Sequence, residues 1–232
     1  MLSSITNIDH SILFALNGSD YPVIDSLVLI LTNAYMWIPL YLILIFLIVR
    51  NNEKLSQVVL VISAGVLCVA LSSIISELVC KPLIARPRPL YASELTGMLD
   101  LVDGYHARGF SFFSSHAANT FSLAVFLSLL VRRYTFTIAM ITWSLINCWT
   151  RLYLGVHYPS DVLVGILCGA VVGFVIYLVF IHFYLKISSR LHFISNQYTR
   201  TGYSLADIDI VLNVLMTLYV IIIIMAIINL SI

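Results

Sequence analysis

Three short polar stretches lie between long apolar segments, and each contains residue types that can bind phosphate or move a proton. The first, "KPLIARPRP", contains Lys81, Arg86 and Arg88. Pro87 and Pro89 restrict the backbone and keep this stretch out of a helix, so the Arg88 guanidinium can be held in one direction. Taken alone, the three cations also fit ordinary charges at a membrane edge that reach toward lipid headgroups.

The second stretch, "FSSHAAN", begins a predicted helix. Ser114 is the expected N-cap, and the free backbone N–H groups of the first turn, at the positive end of the helix dipole, suit an anion such as phosphate. His116 is the ionisable group of that turn and a candidate proton donor to a leaving oxygen. The alternative for His116 is a hydrogen-bonded histidine at the membrane interface.

The third stretch, "TRLYLGVHYPSD", contains Arg151, His157 and Asp161. Pro159 fits the start of the following helix. Asp161 comes four residues after His157 and can accept one imidazole N–H, which leaves the other ring nitrogen as a nucleophile or base. Arg151 offers a planar set of donors that matches phosphate oxygens. Each residue has a structural explanation by itself, but the three stretches together predict phosphoryl transfer without a metal or other cofactor.

The composition predicts an integral membrane protein. Of the 232 residues, 61% are hydrophobic and 10% are charged, with a mean hydropathy of +1.02. The apolar segments are continuous and do not alternate, so we expect an all-α polytopic transmembrane helical bundle that forms one domain over residues 1–232. About six segments are long enough to span a bilayer, at about 24–49, 55–80, 116–131, 136–150, 160–185 and 208–231.

The first 22 residues are too polar to span a membrane. Ile8, Ile12 and Leu16 nevertheless recur at helical spacing, which predicts a short helix on the membrane surface. The stretch lacks the basic region and cleavage site of a signal peptide, so we expect the first span to be retained.

Charge and cysteine content exclude other classes. A net charge of +1 without a basic run gives no sign of a nucleic-acid partner. Cys68, Cys80, Cys148 and Cys168 form no CxxC pair and no zinc-site spacing, so they are expected to be packing residues. The expected partners are the bilayer and a lipid phosphate substrate, and no protein partner is inferred.

The distribution of Lys and Arg over alternate loops predicts an orientation. Seven cations fall on one side and five on the other, and the richer side is expected in the cytoplasm. The three polar stretches then face the exterior of the cell membrane, which is the periplasmic face where an outer membrane exists. The seven are Arg50, Lys54, Arg132, Arg133, Lys186, Arg190 and Arg200.

The order and spacing of these residues resemble the three-part signature of the type 2 phosphatidic acid phosphatase superfamily, lipid phosphatases related to vanadium haloperoxidases. The resemblance covers about residues 24–185 and leaves out the last helix, about 208–231. The residues that carry it are Lys81-x6-Arg88-Pro89, Ser114-Ser115-His116 and Arg151-x5-His157-x3-Asp161.

The resemblance also implies roles. It assigns phosphate binding to Lys81, Arg88, Ser114 and Arg151. It makes His157 the nucleophile, His116 the donor to the leaving group and Asp161 the residue that orients the nucleophile.

Phe113 and Ser115 stand where that family usually has proline and glycine. Ser115 is small, and its hydroxyl is expected to join the phosphate site as a further donor.

The resemblance therefore implies hydrolysis of a lipid phosphomonoester or pyrophosphate through a phosphohistidine. Bacterial undecaprenyl pyrophosphate phosphatases are the first expectation, with lipid A 1-phosphatases and phosphatidylglycerophosphate phosphatases as alternatives. A lipid transporter or binding protein is the alternative from another class, because such proteins carry ionisable residues within spans. Glu77 is the main candidate for that role, but it precedes Lys81 by four residues, which favours a pair along one helix face.

Overall fold

The computed structural model describes residues 2–188 and 196–230, and over these ranges the chain is helical without a β-strand. The expected all-α fold is confirmed. The helices are α1 (Leu2–Leu16), α2 (Pro22–Thr32), α3 (Ile38–Arg50), α4 (Leu55–Ser73), α5 (Lys81–Ile84), α6 (Ser115–Val131), α7 (Tyr134–Tyr153), α8 (Pro159–Ile187) and α9 (Leu205–Ile228).

Length and apolarity support fewer spans than the six expected. In the described parts of the chain, three stretches are long and apolar enough to cross a membrane: Leu55–Leu95, Pro159–Ile187 and Leu205–Ile228. The pair formed by α2 and α3 raises the number to four if it is one span. The helix α6 is apolar but has only 17 residues, and α7 ends in polar residues that belong to the site described below. The count of six is therefore not confirmed.

The first expected span, 24–49, is bent by 68° between α2 and α3. Asn33 takes an extended conformation after α2, and Pro39 in the first turn of α3 has no N–H to continue the helical ladder. The indole Nε1 of Trp37 donates to the carbonyl of Leu31 at 2.9 Å, which satisfies one of the carbonyls left free at the bend. The bend thus replaces the straight helix that hydrophobicity alone predicts.

The second span carries the first polar stretch beyond its end. The helix α4 continues as a π-helix over Ile74–Cys80 and then as α5. Ala85 adopts the left-handed conformation, with φ of 48°, and ends the helix. The chain therefore turns after α5, and Arg86 and Arg88 lie in the connection that follows.

The helices α6 and α8 pack with their backbones in close contact. Gly165, Gly169 and Gly173 form a stripe on α8 that faces α6. A Cβ atom on Gly165 would lie 2.7 Å from the carbonyl oxygen of Ser114, and one on Gly169 would lie 2.5 Å from that of Ala118. Only glycine permits this approach, and it places the start of α6 beside the start of α8.

At the end of the bundle away from the polar stretches, contacts join the ends of several helices. Lys54 Nζ donates to the carbonyl of Ile187 at 3.2 Å, and Arg50 Nε lies 3.5 Å from an oxygen of Asp207. Arg132 also lies at this end. These cations belong to the set expected in the cytoplasm, of which Arg190 lies outside the described residues.

The N-terminal stretch forms α1 and packs beside the polar stretches. Its Leu13 is buried, whereas Ile8, Ile12 and Phe14 are exposed. The exposed apolar face is the one expected to lie on a membrane surface, and that location stays a prediction.

The glycine stripe leads to a stability prediction. Gly169→Ala should lower the free energy of unfolding in detergent micelles by about 1–3 kcal/mol, because the added methyl group forces α6 away from α8. The measurement is unfolding by SDS, followed by tryptophan fluorescence. Gly65→Ala on α4 is the matched control, because its Cβ would meet only Leu123 Cδ1 at 3.6 Å. A Gly169→Ala protein as stable as this control would show that the close approach is not required.

Candidate active site

The three polar stretches meet at one end of the bundle. The backbone N–H of Ser114 donates to the carbonyl of Asp161 at 3.1 Å, which joins the second stretch to the third. Arg88 Nη1 donates to the carbonyl of Val156 at 2.9 Å, which joins the first stretch to the third. The structure therefore brings together residues that are up to 80 positions apart in the sequence, from Lys81 to Asp161.

His157 lies in the connection between α7 and α8 and is 3% exposed. Its Nε2 atom is 3.2 Å from Arg88 Nη1. A guanidinium nitrogen only donates, so Nε2 must accept in this contact and the ring proton of the neutral imidazole belongs to Nδ1. The nitrogen with the free electron pair therefore faces the arginine, as a nucleophile toward phosphate requires.

The Nδ1 side of the ring faces Asp161 and Ser111. Nδ1 lies 3.7 Å from Asp161 Oδ2, which is longer than a normal hydrogen bond. The Ser111 hydroxyl lies 3.4 Å from Nδ1 and donates to the same Asp161 oxygen. The carboxylate thus acts on the ring partly through Ser111, whereas the sequence indicated a direct contact.

Burial sets the protonation state of His157. It lowers the pKa of His157 to about 4, since the charged ring loses its hydration, and nearby Arg88 and Arg151 act in the same direction. The negative charge of Asp161 opposes this effect without overcoming it. At neutral pH the ring is therefore neutral and able to attack phosphorus.

Two arginines supply buried positive charge. Arg88, 6% exposed, donates to the carbonyls of Arg108, Gly109 and Val156. Arg151, at the end of α7, is 2% exposed. Within the described ranges its side chain donates hydrogen bonds to the hydroxyls of its neighbour Thr150 and of Tyr105, at 3.2 and 3.5 Å.

One nitrogen of Arg151 is available for a ligand. Its Nη2 atom is among the buried side-chain nitrogens of the described residues that have no hydrogen-bond partner. A buried charged donor without a partner is costly, and an anion would satisfy it.

Lys81 lies at the start of α5, 6% exposed, and donates to Glu77 Oε1. The expected pair along one helix face is present. Ser115 Oγ donates to the same Glu77 oxygen at 2.7 Å. The Ser115 hydroxyl is therefore already engaged, and its expected part in binding phosphate stays a prediction.

The start of α6 has the expected capping geometry. Ser114 is fully buried and its hydroxyl accepts from the Ala117 N–H at 3.4 Å. His116 is exposed within a cavity, and the charges that act on it belong to Arg151, His157, Lys81 and Arg88. The second histidine therefore lies within electrostatic range of the first, at the edge of the cationic cluster. Phe113, where the family usually has proline, is buried, and its carbonyl accepts from Ser76.

Sequence reasoning missed three contributors. Ser111 was not singled out because its partners lie 46 and 50 residues away, and the only local signal is a serine in an aromatic run. Arg86 was noted as a cation, but its bond to Asp161 Oδ1 at 2.8 Å is not visible from spacing. Tyr105 lies in the long loop after the first stretch, and its hydroxyl accepts from Arg151 Nη1 at 3.5 Å, a contact that spacing does not show.

No group of three or more metal-ligating His, Cys, Asp or Glu side chains occurs in the described ranges. The prediction of metal-independent activity stays a prediction, and its test is given below.

Comparison with known proteins decides the family. Residues 64–184, which contain all three stretches, match the model of the PAP2 superfamily. A lipid A 4'-phosphatase of Bacteroides thetaiotaomicron is 30% identical over 184 residues, which cover 77% of this chain and 80% of the relative. The chain belongs to the PAP2 superfamily. The resemblance inferred from the motifs is confirmed, and the protein is a membrane lipid phosphatase, a hydrolase of phosphate esters.

Two more distant proteins are similar to this PAP2 phosphatase. An undecaprenyl-diphosphatase of Bacillus subtilis is 25% identical over 171 residues, covering 73% of this chain and 82% of the relative. The crystal structure of a transmembrane PAP2-type phosphatidylglycerolphosphate phosphatase from Bacillus subtilis superposes with a TM-score of 0.58 at 20% identity. It covers 81% of this chain and 90% of that one. This structural similarity supports the transmembrane PAP2 fold of the chain.

The geometry predicts unequal effects of two substitutions in this PAP2 phosphatase. His157→Ala should eliminate phosphate release, because no other group replaces the Nε2 electron pair, whereas Asp161→Asn should leave a weak residual rate. The measurement is phosphate release by detergent-purified protein of confirmed folding, judged by its elution as a single species. Normal turnover by folded His157→Ala protein would refute the assignment of the nucleophile.

Proposed function

We propose that this phosphatase hydrolyses a phosphate monoester of a saccharolipid of the lipid A class, through a phosphohistidine on His157. The observation that carries the catalytic part is the buried pair of Arg88 and Arg151 near the His157 ring, with one Arg151 nitrogen unpartnered in the described residues. Buried Lys81 adds a third positive charge, which acts on His116. A phosphate dianion supplies the missing acceptors, and the developing charge on its equatorial oxygens is stabilised by donors that are already in place.

The proposed reaction has two steps. In the first, His157 Nε2 bonds to phosphorus while the bond from phosphorus to the lipid oxygen breaks. His116, protonated when the negative charge of the bound phosphate offsets the surrounding cations, gives that oxygen a proton. In the second, water bonds to phosphorus while the bond from phosphorus to Nε2 breaks, His116 takes a proton from that water, and phosphate is released. Arg88, which contacts Nε2 at 3.2 Å, takes a phosphate oxygen as its partner when substrate binds.

The surroundings of His116 support a lipid leaving group. A cavity of about 600 Å³ has His116, Asn119 and Thr120 at one end and is otherwise mostly apolar. Along α6 it extends from His116 to Leu127, 11 residues or about 16 Å at 1.5 Å per residue. This is about half the thickness of bilayer hydrocarbon, the depth of one leaflet.

We infer that the same cavity opens toward lipid between α3 and α4. Tyr41 and Ile45 of α3 and Val66 and Val69 of α4 line it, and all four side chains are exposed. A lipid chain can therefore enter from the side, between α3 and α4, while its headgroup reaches His116.

Two observations favour a saccharolipid monoester. The relative named as a lipid A 4'-phosphatase matches at higher identity than the undecaprenyl-diphosphatase, 30% against 25%. In addition, the Glu77 carboxylate lies beside Lys81 and Ser115, so a second phosphate on that side would meet a negative charge. Undecaprenyl pyrophosphate, the first expectation from the sequence, is the second candidate because the undecaprenyl-diphosphatase is also similar to this chain.

A panel of lipid phosphates tests the substrate. The detergent-purified protein should release phosphate from lipid A with a higher kcat/KM than from undecaprenyl pyrophosphate or phosphatidylglycerophosphate, and mass spectrometry should identify the position that loses it. Activity should persist in EDTA, because the cationic side chains supply the positive charge that a bound metal ion would otherwise provide to the phosphate oxygens. The His157→Ala protein controls for contaminating phosphatases. Preference for the pyrophosphate would replace the proposed substrate, and a strict need for divalent metal would contradict the mechanism.

We also propose that the site faces the exterior of the cell membrane, on the basis of the Lys and Arg distribution. A cysteine at exposed Ser93, in a background without the four native cysteines, should react with a membrane-impermeant thiol reagent in intact cells whose outer membrane, if present, is permeable. A cysteine at exposed Glu53, in the loop between α3 and α4, is the matched control and should react only after lysis. The reverse pattern would place the site in the cytoplasm and leave the chemistry unaffected.

A further inference from the structure

The carboxylate of Asp161 is completely buried and accepts hydrogen bonds from three groups. Its Oδ2 accepts from Ser111 and from the backbone N–H of Tyr158, and faces His157. Its Oδ1 accepts from Arg86 Nη1 at 2.8 Å. Because the two oxygens belong to one planar group, the bond at Oδ1 also fixes the direction of Oδ2.

Arg86 is held in turn by α1. Its Nη2 donates to Asp9 Oδ2 at 2.9 Å, and Asp9 is only 3% exposed. Its guanidinium carbon lies 3.6 Å from the centre of the Tyr158 ring, close enough for a cation–π contact. One guanidinium therefore bridges a carboxylate of the N-terminal helix and the carboxylate beside the nucleophile.

Asp9 also binds the first turn of α8, the helix that carries Asp161. Its Oδ1 accepts from the Ser160 N–H at 2.8 Å, and its Oδ2 accepts from the Ser160 hydroxyl. A carboxylate at a helix N-terminus is favoured by the free N–H groups and the helix dipole. The apolar contact of Leu13 with the Tyr158 region holds α1 in the same place.

We propose that Arg86 and Asp9 are positioning residues: Arg86 aims the Asp161 carboxylate at Ser111 and His157, and Asp9 of α1 holds Arg86. The inference rests on the proposed function, since its effect is exerted through His157. It gives α1, which lies outside the three-part signature, a part in catalysis.

Because Arg86 and Asp9 are charged, removing either charge should shift the pH at which His157 titrates, in opposite directions for the two residues. Without Arg86, the negative charge of Asp161 would act on His157 uncompensated and favour the protonated ring, so His157 would titrate at higher pH. Without the charge of Asp9, Arg86 would neutralise Asp161 more completely, and the titration would move to lower pH. The titratable and charged groups around the pair are Arg88, Arg151, His116, Tyr158, Arg86 and Asp9.

The test compares Arg86→Met, Arg86→Lys and Asp9→Asn on the lipid phosphate that the wild-type protein hydrolyses. Arg86→Met should lower kcat about 10- to 100-fold, the range typical of residues that support a reacting group, with KM unchanged. Its His157 titration, followed by NMR of protein labelled at histidine nitrogens, should move to higher pH. Arg86→Lys should restore the wild-type titration but only part of kcat, because it keeps the charge and loses the two-armed geometry.

Asp9→Asn should shift the titration in the opposite direction, with a smaller loss of kcat. Glu94→Gln is the control, because exposed Glu94 approaches His10 of α1 at 3.8 Å and, in the described part of the chain, forms no hydrogen bond with Asp161 or Arg86. The kcat and the His157 titration of this variant should match the wild type.

Two results would overturn the inference. One is a folded Arg86→Met protein with the kcat and His157 titration of the wild type. The other is failure of both the Met and Lys variants to fold in detergent while Asp9→Asn leaves kcat and titration unchanged, which would make Arg86 a purely structural residue. Lack of phosphate release by the wild-type protein on every lipid phosphate would instead refute the proposed function.

Discussion

The approach of α6 to α8 determines where the proposed reacting groups on these helices lie relative to each other. Glycines at three successive turns of α8 let its backbone touch that of α6, and the N-cap of α6 then lies at the first turn of α8. The hydrogen bond from the Ser114 N–H to the Asp161 carbonyl is a direct result. The start of α6 and the pair of His157 and Asp161 are neighbours because no side chain separates these two helices.

Burial of charge is the second constraint, and it explains why the cations are held as they are. Removing an ion from water costs several kcal/mol unless partners replace the water. Arg88 recovers much of this cost from backbone carbonyls, and Lys81 from Glu77. Arg151 does not, because its Nη2 atom has no partner in the described part of the chain. The fold thus holds an unpartnered hydrogen-bond donor in a fixed position. Such a preorganised donor can stabilise charge that develops during a reaction without any rearrangement of the protein.

The two sides of the site differ in chemical character. The loops that carry the polar stretches lie on one side, and a mostly apolar cavity lies on the other. His116 stands between the cationic cluster and that cavity. In-line displacement requires the leaving oxygen to lie opposite the attacking nitrogen, and this arrangement would direct the leaving lipid into the cavity. The bent first span contributes to this division, since Trp37 and Tyr41 line the cavity on the α3 side. A straight helix over the same residues would follow a different path past the site.

Much of this protein follows from its sequence. Continuous apolar segments determined the all-α membrane fold, because a backbone in hydrocarbon must satisfy its hydrogen bonds within each segment. The spacing of the three polar stretches indicated the family, and the comparison confirmed it. The pair of Glu77 and Lys81 and the capping by Ser114 were also predictable, since both depend on contacts within one helix turn.

Other features were decided only by tertiary structure. The Ser111 hydroxyl lies between His157 and Asp161, which are 46 and 50 positions away from it in the chain. The bridge from Asp9 through Arg86 to Asp161 spans 152 positions of the chain. Local spacing shows which side chains share a helix face, whereas contacts between distant segments depend on how the helices pack, and here that packing is set by backbone contact at glycines.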